Sequence, residues 1–241
     1  RNTPSAIAHA LHAAGMEDCR AVVCERLGQP GEQVTDTHLA DIIEREFDVL
    51  NVLLLIRRRE DVRLDFGRAE AEFTVHNGQI TKPEVRAVIL AKLQLRPYGV
   101  LWDIGAGAGS VSVEAARLMP YGQVFAVERD PDQLRCLTHN RARCGAGNVR
   151  IVQGEAPDAL AGLPEPQAVF IGGSGGRLDD ILAIVSRPFV ASFALLEHVS
   201  HVLRRFPEAE VVELNVARSQ SMPGGHRLAA QNPVYVVSVP A

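Results

Sequence analysis

An apolar run that ends in aspartate and is followed by glycine at every second position constrains this chain more than any other stretch. In LWDIGAGAGSVSVEAA, residues 101–116, Asp103 closes the run, Gly105, Gly107 and Gly109 follow, and a helical pattern begins at Ser110. A strand that turns into a helix through such a loop brings backbone N–H groups and a helix N-terminus close to a ligand, which suits a nucleotide-like molecule. The dinucleotide fingerprint is G-x-G-x-x-G. Here the third glycine comes one place early, giving D-x-G-x-G-x-G. Three alternate glycines carry a large conformational-entropy cost, which argues against a tight turn with no ligand.

The surroundings of this loop are regular. TKPEVRAVILAKL, residues 81–93, opens with Thr81 and Glu84 at capping-box spacing and carries Val85, Val88, Ile89 and Leu93 on one face. Strands predicted at GVLWDIG, QVFAVER, NVRIVQG, AVFIGG and VASFALLE alternate with helical runs near 109–118, 130–143, 156–161 and 177–186. Such alternation implies a parallel sheet with helices on both faces. After the helical HVSHVLRRF, EVVELNVAR and PVYVVSV are joined by the loop SQSMPGGHRLAAQN with no helix between them, so they are expected to pair antiparallel.

The first part of the chain reads as two α–β units: helix NTPSAIAHALHAAG stopped by Gly15, strand CRAVVCERL, helix THLADIIEREF with Leu39, Ile42, Ile43 and Phe47 on one stripe, and strand LNVLLLI. The charge-dense RRREDVRLDFGRAEAEF, residues 57–73, marks a boundary. Arg57 to Arg59 fit a solvated linker or an anion site. The organisation expected is residues 1–60, a linker at 61–72, and a domain at 73–241.

A net charge of −4 argues against nucleic acid as a partner and leaves any anionic substrate to a local cluster of cations. Cys19, Cys24, Cys136 and Cys144 form no CxxC pair in a chain too long to need a disulfide scaffold. No apolar run approaches the roughly 20 residues that span a bilayer. These features predict a cytoplasmic protein that meets no membrane. His198 and His201 lie three apart on a helix without a third ligand nearby in sequence, so no metal is expected.

The second strand ends in Glu128, about 20 residues after the glycines, where an acid accepts hydrogen bonds from ribose hydroxyls. The same glutamate also fits a purely structural part at the N-terminus of the next helix, which Asp130 and Pro131 open. The D-x-G-x-G-x-G motif with Asp103 resembles the first motif of the Rossmann-like class I S-adenosylmethionine-dependent methyltransferases. That resemblance implies an α/β fold with a mostly parallel seven-stranded sheet and an antiparallel C-terminal hairpin, preceded here by a small α/β segment. It implies S-adenosylmethionine as cofactor, held by Asp103, Gly105, Ala106, Gly107, Gly109 and Ser110 at the loop, and by Thr81, Glu128 and Arg129 around it. Gly154, Glu155 and Ala156, after the third strand, fall where this family contacts adenine.

Two further stretches narrow the resemblance. EFTVHNGQITKPEVRAVILAKLQL and AVFIGGSGGRLDDIL are similar to the decarboxylating methyltransferase domain of cobalamin biosynthesis, the family of precorrin-6Y 5,15-methyltransferases, and residues 1 to about 57 to the C-terminal half of the tetrapyrrole methylase domain fused ahead of it. The first half of that domain, with its own cofactor loop, does not precede Arg1, so the N-terminal segment is expected to be a fragment that does not methylate by itself. The resemblance implies methylation of a late precorrin at the meso carbon between rings C and D, loss of carbon dioxide from the ring C acetate, and a homo-oligomer, a tetramer. Candidate substrate contacts are His76, Lys82 and Arg86, then Gly172, Gly173, Ser174 and Gly175 with Arg177, and His226 and Arg227 near the last loop, with Arg218 beside them. No catalytic base is assigned, because in-line methyl transfer asks chiefly for positioning.

Three rivals share parts of this pattern. An RNA or protein methyltransferase would show a basic, aromatic-rich surface or an N/P-P-Y-like strand end, whereas this chain has IGGSGG there and 5% aromatics. A non-catalytic assembly domain has no need of the intact Asp103, three glycines and Glu128. An NAD enzyme is at odds with the displaced third glycine.

Overall fold

The computed structural model describes residues 2–13, 19–56, 66–185 and 188–240. The chain forms two compact units, Arg1–Arg63 with Ala142–Gly147, and Leu64–Arg141 with Asn148–Ala241. Arg57 to Arg59, the predicted linker up to Asp65 and the Gly15 stop lie outside the described residues.

In the first unit, helix α1 (Pro4–Ala13) is followed by strands β1 (Arg20–Glu25), β2 (Gln33–His38) and β3 (Asn51–Ile56). They form an antiparallel sheet in the order β2-β1-β3, with Ala8, Cys19, Ala21, Val23, Leu39 and Ile42 buried together. The helix expected over 37–47 is absent. Only the 3-10 turn Leu39–Ile42 forms, because one turn already buries Leu39 and Ile42, and Asp41 Oδ2 takes the Thr37 hydroxyl at 2.5 Å and the His38 N–H at 3.3 Å. Its predicted first residues, Thr37 and His38, belong instead to β2.

In the second unit, helix α2 (Pro83–Leu93) precedes β4 (Val100–Ile104), α3 (Ser110–Leu118), β5 (Gln123–Glu128), α4 (Pro131–Arg143) and β6 (Val149–Gln153). Then come β7 (Ala168–Ile171), α5 (Leu178–Ile184), β8 (Phe189–Phe193), α6 (Leu196–Arg205), β9 (Glu210–Leu214), β10 (Ala217–Met222), β11 (Gly225–Ala230) and β12 (Val234–Val239). The seven-stranded sheet runs β6-β5-β4-β7-β8-β12-β9. Its first five strands are parallel, and β12 enters antiparallel to both β8 and β9, as expected. Trp102, Ile104, Phe125, Val127, Val169 and Ile171 anchor one buried layer. Truncating such a side chain to Ala typically costs about 2–5 kcal/mol.

Three local expectations fail for physical reasons. Lys82 and not Thr81 is the N-cap of α2, without a side-chain cap, and Pro83 needs no N–H partner in the first turn. Glu84 is drawn off to Arg218. The 156–161 run gives only the 3-10 turn Asp158–Leu160. The last loop folds into the ribbon β10–β11, closed by Pro223 and Gly224, with Met222 opposite Gly225.

From β4 the chain steps to β5 and β6 on one side and returns to β7 and β8 on the other. The strand order reverses at β4, and open α/β sheets bind ligands in the crevice at such a point. The start of antiparallel β12 lies at this same end of the sheet.

Candidate active site

A cleft of about 1010 Å³ opens where the strand order reverses. Ile104 to Ala108 form its floor, Glu128 to Asp130 and Gly154 to Ala156 one side, and Gly172 to Gly175 the other. Gln79 to Lys82 with Val85, and Gln231, Asn232 and Val234, complete it.

The glycine loop is built by close backbone packing. The N–H groups of Gly105 and Ala106 both donate to the Val127 carbonyl, at 2.9 and 3.0 Å, and those of Gly172 and Gly173 to the Ile104 carbonyl, at 2.9 and 3.2 Å. Gly107 has a φ of +56°, and a Cβ there would meet only Gln133 Oε1, at 3.9 Å. It is the point of the loop where a ligand can approach the backbone. Gly109 does not line the cleft; it makes room for the Leu137 side chain on α4.

Glu128 binds this loop to the next helix. Its Oε2 accepts the Gly107 N–H at 2.8 Å, and its Oε1 accepts those of Arg129 at 2.8 Å and Asp130 at 2.9 Å. A carboxylate offers about four acceptor positions, so room remains for a ligand hydroxyl. Asp130 caps α4 by accepting the N–H groups of Asp132 and Gln133 at 2.8 and 3.0 Å.

Asp103 is fully buried beneath the loop and does not itself line the cleft. Its Oδ2 accepts the Ser112 hydroxyl, while Oδ1 has no partner among the described residues. Burial pushes its carboxyl up to about 7; the Ser112 hydrogen bond opposes this and the nearby charge of Glu128 adds to it. A buried, unpartnered carboxylate oxygen beside a glycine loop with one open position fits a cofactor that brings a donor, directly or through water. The Arg129 guanidinium pairs with Glu155 against Gly175, where a side chain would meet both groups.

Thr81, Gly105, Ala106, Gly107, Ser110, Glu128, Arg129, Gly154, Glu155 and Ala156 therefore share one cleft, as do Lys82, Gly172, Gly173, Ser174 and Gly175. Other predicted contacts lie elsewhere. Arg86 is fully buried in an ion pair with Glu114 at 2.8 Å, donates to the carbonyls of Thr81 and Arg68 at 2.7 and 2.5 Å, and lies over the Phe73 ring. It is committed to the fold. Arg177 is taken by Asp158 and Asp180 at 2.6 and 2.9 Å, ahead of α5. His76 pairs with Asn77 at 2.8 Å and stands 3.7 Å from Asp132. His226 is exposed on β11, where Arg227 holds Gln220 at 2.8 Å. His198 packs edge-on to Phe193, and His201 pairs with Asp179 at 2.6 Å.

Sequence reasoning missed Gln79, Gln133, Phe193, Gln231, Asn232 and Val234. The last three were within reach: the start of a strand antiparallel to β8 must lie at the ligand end of the sheet.

Residues 72–239 match the family model for the precorrin methyltransferase domain, a span that encloses every residue lining the cleft. The chain belongs to that family. Precorrin methyltransferase domains of known structure include one from Geobacter metallireducens called precorrin-6Y C5,15-methyltransferase. It is 38% identical, with a TM-score of 0.68 over 72% of this chain and 97% of that one. The C-terminal domain of the Rhodobacter capsulatus protein of that name is 35% identical, with a TM-score of 0.64 over 73% and 97%. Among curated relatives, the cobalt-precorrin-6B C(15)-methyltransferase (decarboxylating) of Salmonella typhimurium is 38% identical over 67% of this chain and 89% of its own length. The precorrin-6Y C(5,15)-methyltransferase of a Sinorhizobium species is 40% identical over 72% of this chain, but the match spans only 43% of that longer protein.

Proposed function

We propose that this chain is an S-adenosylmethionine-dependent C-methyltransferase that methylates a late precorrin at the meso carbon between rings C and D and removes the ring C acetate carboxyl as carbon dioxide. The observation that carries the reading is the cleft where the strand order reverses: the Asp103 loop, Glu128 and the Gly172–Gly175 loop line one cavity, inside the span that matches the family model. The decarboxylating activity in the names of the Salmonella and Sinorhizobium relatives supports the chemistry.

S-adenosylmethionine supplies a methyl group on a positively charged sulfur. The chain's residues hold and orient. Glu128 accepts ribose hydroxyls on its free acceptor positions, and Gly107 lets the amino-acid part lie against the backbone. Asp103 draws the cofactor's ammonium group from beneath the loop, and the turn at Gly154, Glu155 and Ala156 borders adenine. On the opposite wall, Gly172, Gly173 and Gly175 leave a flat space for the macrocycle. Phe170, Phe193 and Val234 give its acetate an apolar surround, in which a carboxylate is less well solvated. Lining up nucleophile, methyl and sulfur can supply roughly 7–11 kcal/mol of the barrier reduction. Electrons released by decarboxylation make the macrocycle carbon nucleophilic, so no dedicated base is invoked.

The same reading takes residues 1–60 as part of a tetrapyrrole methylase domain, and the protein as a cytoplasmic homo-oligomer, a tetramer. No helix among the described residues is long and apolar enough to cross a membrane. The ribbon β10–β11 is exposed along most of both strands, with Leu228 at 74% and only Arg218 and Ala229 half-buried. A two-stranded ribbon is marginal alone, which favours a partner copy against it. Mass spectrometry of a late precorrin incubated with the protein and S-adenosylmethionine tests the reading. Gain of one methyl with loss of one carbon dioxide is expected; an unchanged macrocycle, with cofactor shown to bind, would contradict it.

A further inference from the structure

A charge network stands at the mouth of the cleft. Lys82, which lines the cleft, donates from Nζ to Glu70 Oε2 at 2.5 Å. The other oxygen of Glu70 accepts from Arg218, near the start of β10. Arg218 also grips Glu84, with Nε at 3.2 Å from one oxygen and a terminal nitrogen at 2.5 Å from the other. Lys82, Glu70, Arg218 and Glu84 therefore form a row of alternating charge with no net sign. The row joins the entry of α2 to the base of the ribbon, where the Gln231 N–H donates to the Val216 carbonyl at 2.8 Å just before Asn232 and Val234 reach the cleft.

The two cations are held differently. Arg218 forks onto Glu84 and also holds Glu70, an arrangement that fixes direction as well as charge. Lys82 meets Glu70 through one ammonium at the end of a flexible stem, and with its side chain 34% exposed such a pair contributes little net stability. Burial alone would raise the Glu70 carboxyl, but the hydrogen bonds from Lys82 and Arg218 outweigh it and hold it below the usual carboxylate range. Glu70 is thus a charged competitor for the cation that faces the cleft.

Resting on the reading of the substrate as a tetrapyrrole bearing acetate and propionate groups, we propose that Lys82 anchors a substrate carboxylate and that Glu70 holds its place in the free protein. An arriving carboxylate takes Lys82 from Glu70, and Arg218 keeps Glu70 where it is. The cleft then presents no bare cation to small anions, and its affinity depends on a carboxylate set at the right distance from the methylated carbon.

Steady-state kinetics of the full chain with the late precorrin, for wild type, Lys82→Met, Glu70→Gln and the double variant, test this, with the affinity for S-adenosylhomocysteine and the thermal midpoint measured on each. Lys82→Met is expected to raise KM about tenfold or more with kcat within about twofold, the loss of a charged hydrogen bond made equally in ground and transition states. Glu70→Gln is expected to lower KM about two- to fivefold, and the double variant to behave as Lys82→Met alone. An equal lowering by Glu70→Gln in the Lys82→Met background would overturn the exchange, since it would reflect only the overall field. Loss of S-adenosylhomocysteine affinity in Lys82→Met would place the lysine with the cofactor and overturn it too. Unchanged KM in both single variants, with an active wild type, would overturn the anchor and leave the methyltransferase reading standing. An inactive wild type that binds cofactor would overturn both.

Discussion

Gly105 and Gly173 meet backbone to backbone: a Cβ on Gly105 would lie 2.5 Å from the Gly173 carbonyl oxygen. This contact joins the loop after β4 to the loop after β7, so the two glycine-lined sides of the cleft share one seam.

The seam separates two glycines that look alike in sequence. Gly105→Ala meets both a positive φ of +71° and backbone that cannot move aside, and is expected to cost about 2–4 kcal/mol of stability. Gly107→Ala meets only the end of the Gln133 side chain at 3.9 Å, so it should cost only about 1–2 kcal/mol while weakening S-adenosylhomocysteine binding more than tenfold. Urea unfolding and calorimetric titration of the two variants check this contrast. Equal loss of stability in both would refute it.

Arg86 and Glu114 offer a test of what the fold commits to its core. Their side chains are 0% and 1% exposed, so Arg86→Met strands a buried carboxylate and should cost about 3–5 kcal/mol. KM of the folded variant should stay near that of wild type. A stable variant with a raised KM would restore Arg86 to the substrate contacts from which the structure removes it.

Asp103 sets a pH dependence. In the unfolded chain its carboxyl ionises near 3.8, and in the fold only near about 7. Between these values the folded state keeps a proton that the unfolded state has lost, so Asp103 makes stability fall as pH rises from about 4 to about 7, and contributes no further slope above that. Asp103→Asn should remove this part of the slope in pH-dependent unfolding. Since the ionised form is the one that attracts an ammonium group, affinity for S-adenosylhomocysteine should rise with pH through about 7 in wild type and stay flat in Asp103→Asn. The same slope in both proteins would assign the titration to another group.

Glu128 ties the glycine loop to the start of α4, and two substitutions separate that part from the proposed ribose contact. Glu128→Gln keeps an acceptor for the Gly107 N–H but loses the charge, and should lower cofactor affinity about tenfold. Glu128→Ala also frees the N–H groups of Gly107, Arg129 and Asp130 and should lower the thermal midpoint as well. Unchanged cofactor affinity in Glu128→Gln would leave Glu128 a purely structural residue.

The parallel half of the fold was legible because apolar strands alternate with helical faces from Gly99 to Phe206, the 3-10 turn Asp158–Leu160 apart, and because D-x-G-x-G-x-G marks where the strand order reverses. The N-terminal unit was legible only in part: α1, β1 and β3 lie where helix and strands were expected, but β2 was missed. QVTDTH is too polar to read as a strand, yet β2 pairs along its whole length with β1. The stripe Leu39, Ile42, Ile43 and Phe47 has helical spacing, but one turn satisfies its first two members. Lys82 lines the cleft, where its place before the motif put it. Arg86, four residues on, was misassigned, because its partner Glu114 lies 28 residues away and a single sequence holds no record of the pairing. Gln231 and Asn232 became readable only once β12 was placed against β8.

The proposed reaction forms one bond and breaks another on the same macrocycle. Carbon-13 NMR of the product made from S-adenosylmethionine labelled in its methyl group, and from a late precorrin labelled in the ring C acetate carboxyl, tests it most directly. The methyl label is expected on the meso carbon between rings C and D and the carboxyl label in the released carbon dioxide. A methyl label on any other atom, or a retained carboxyl label, would contradict it.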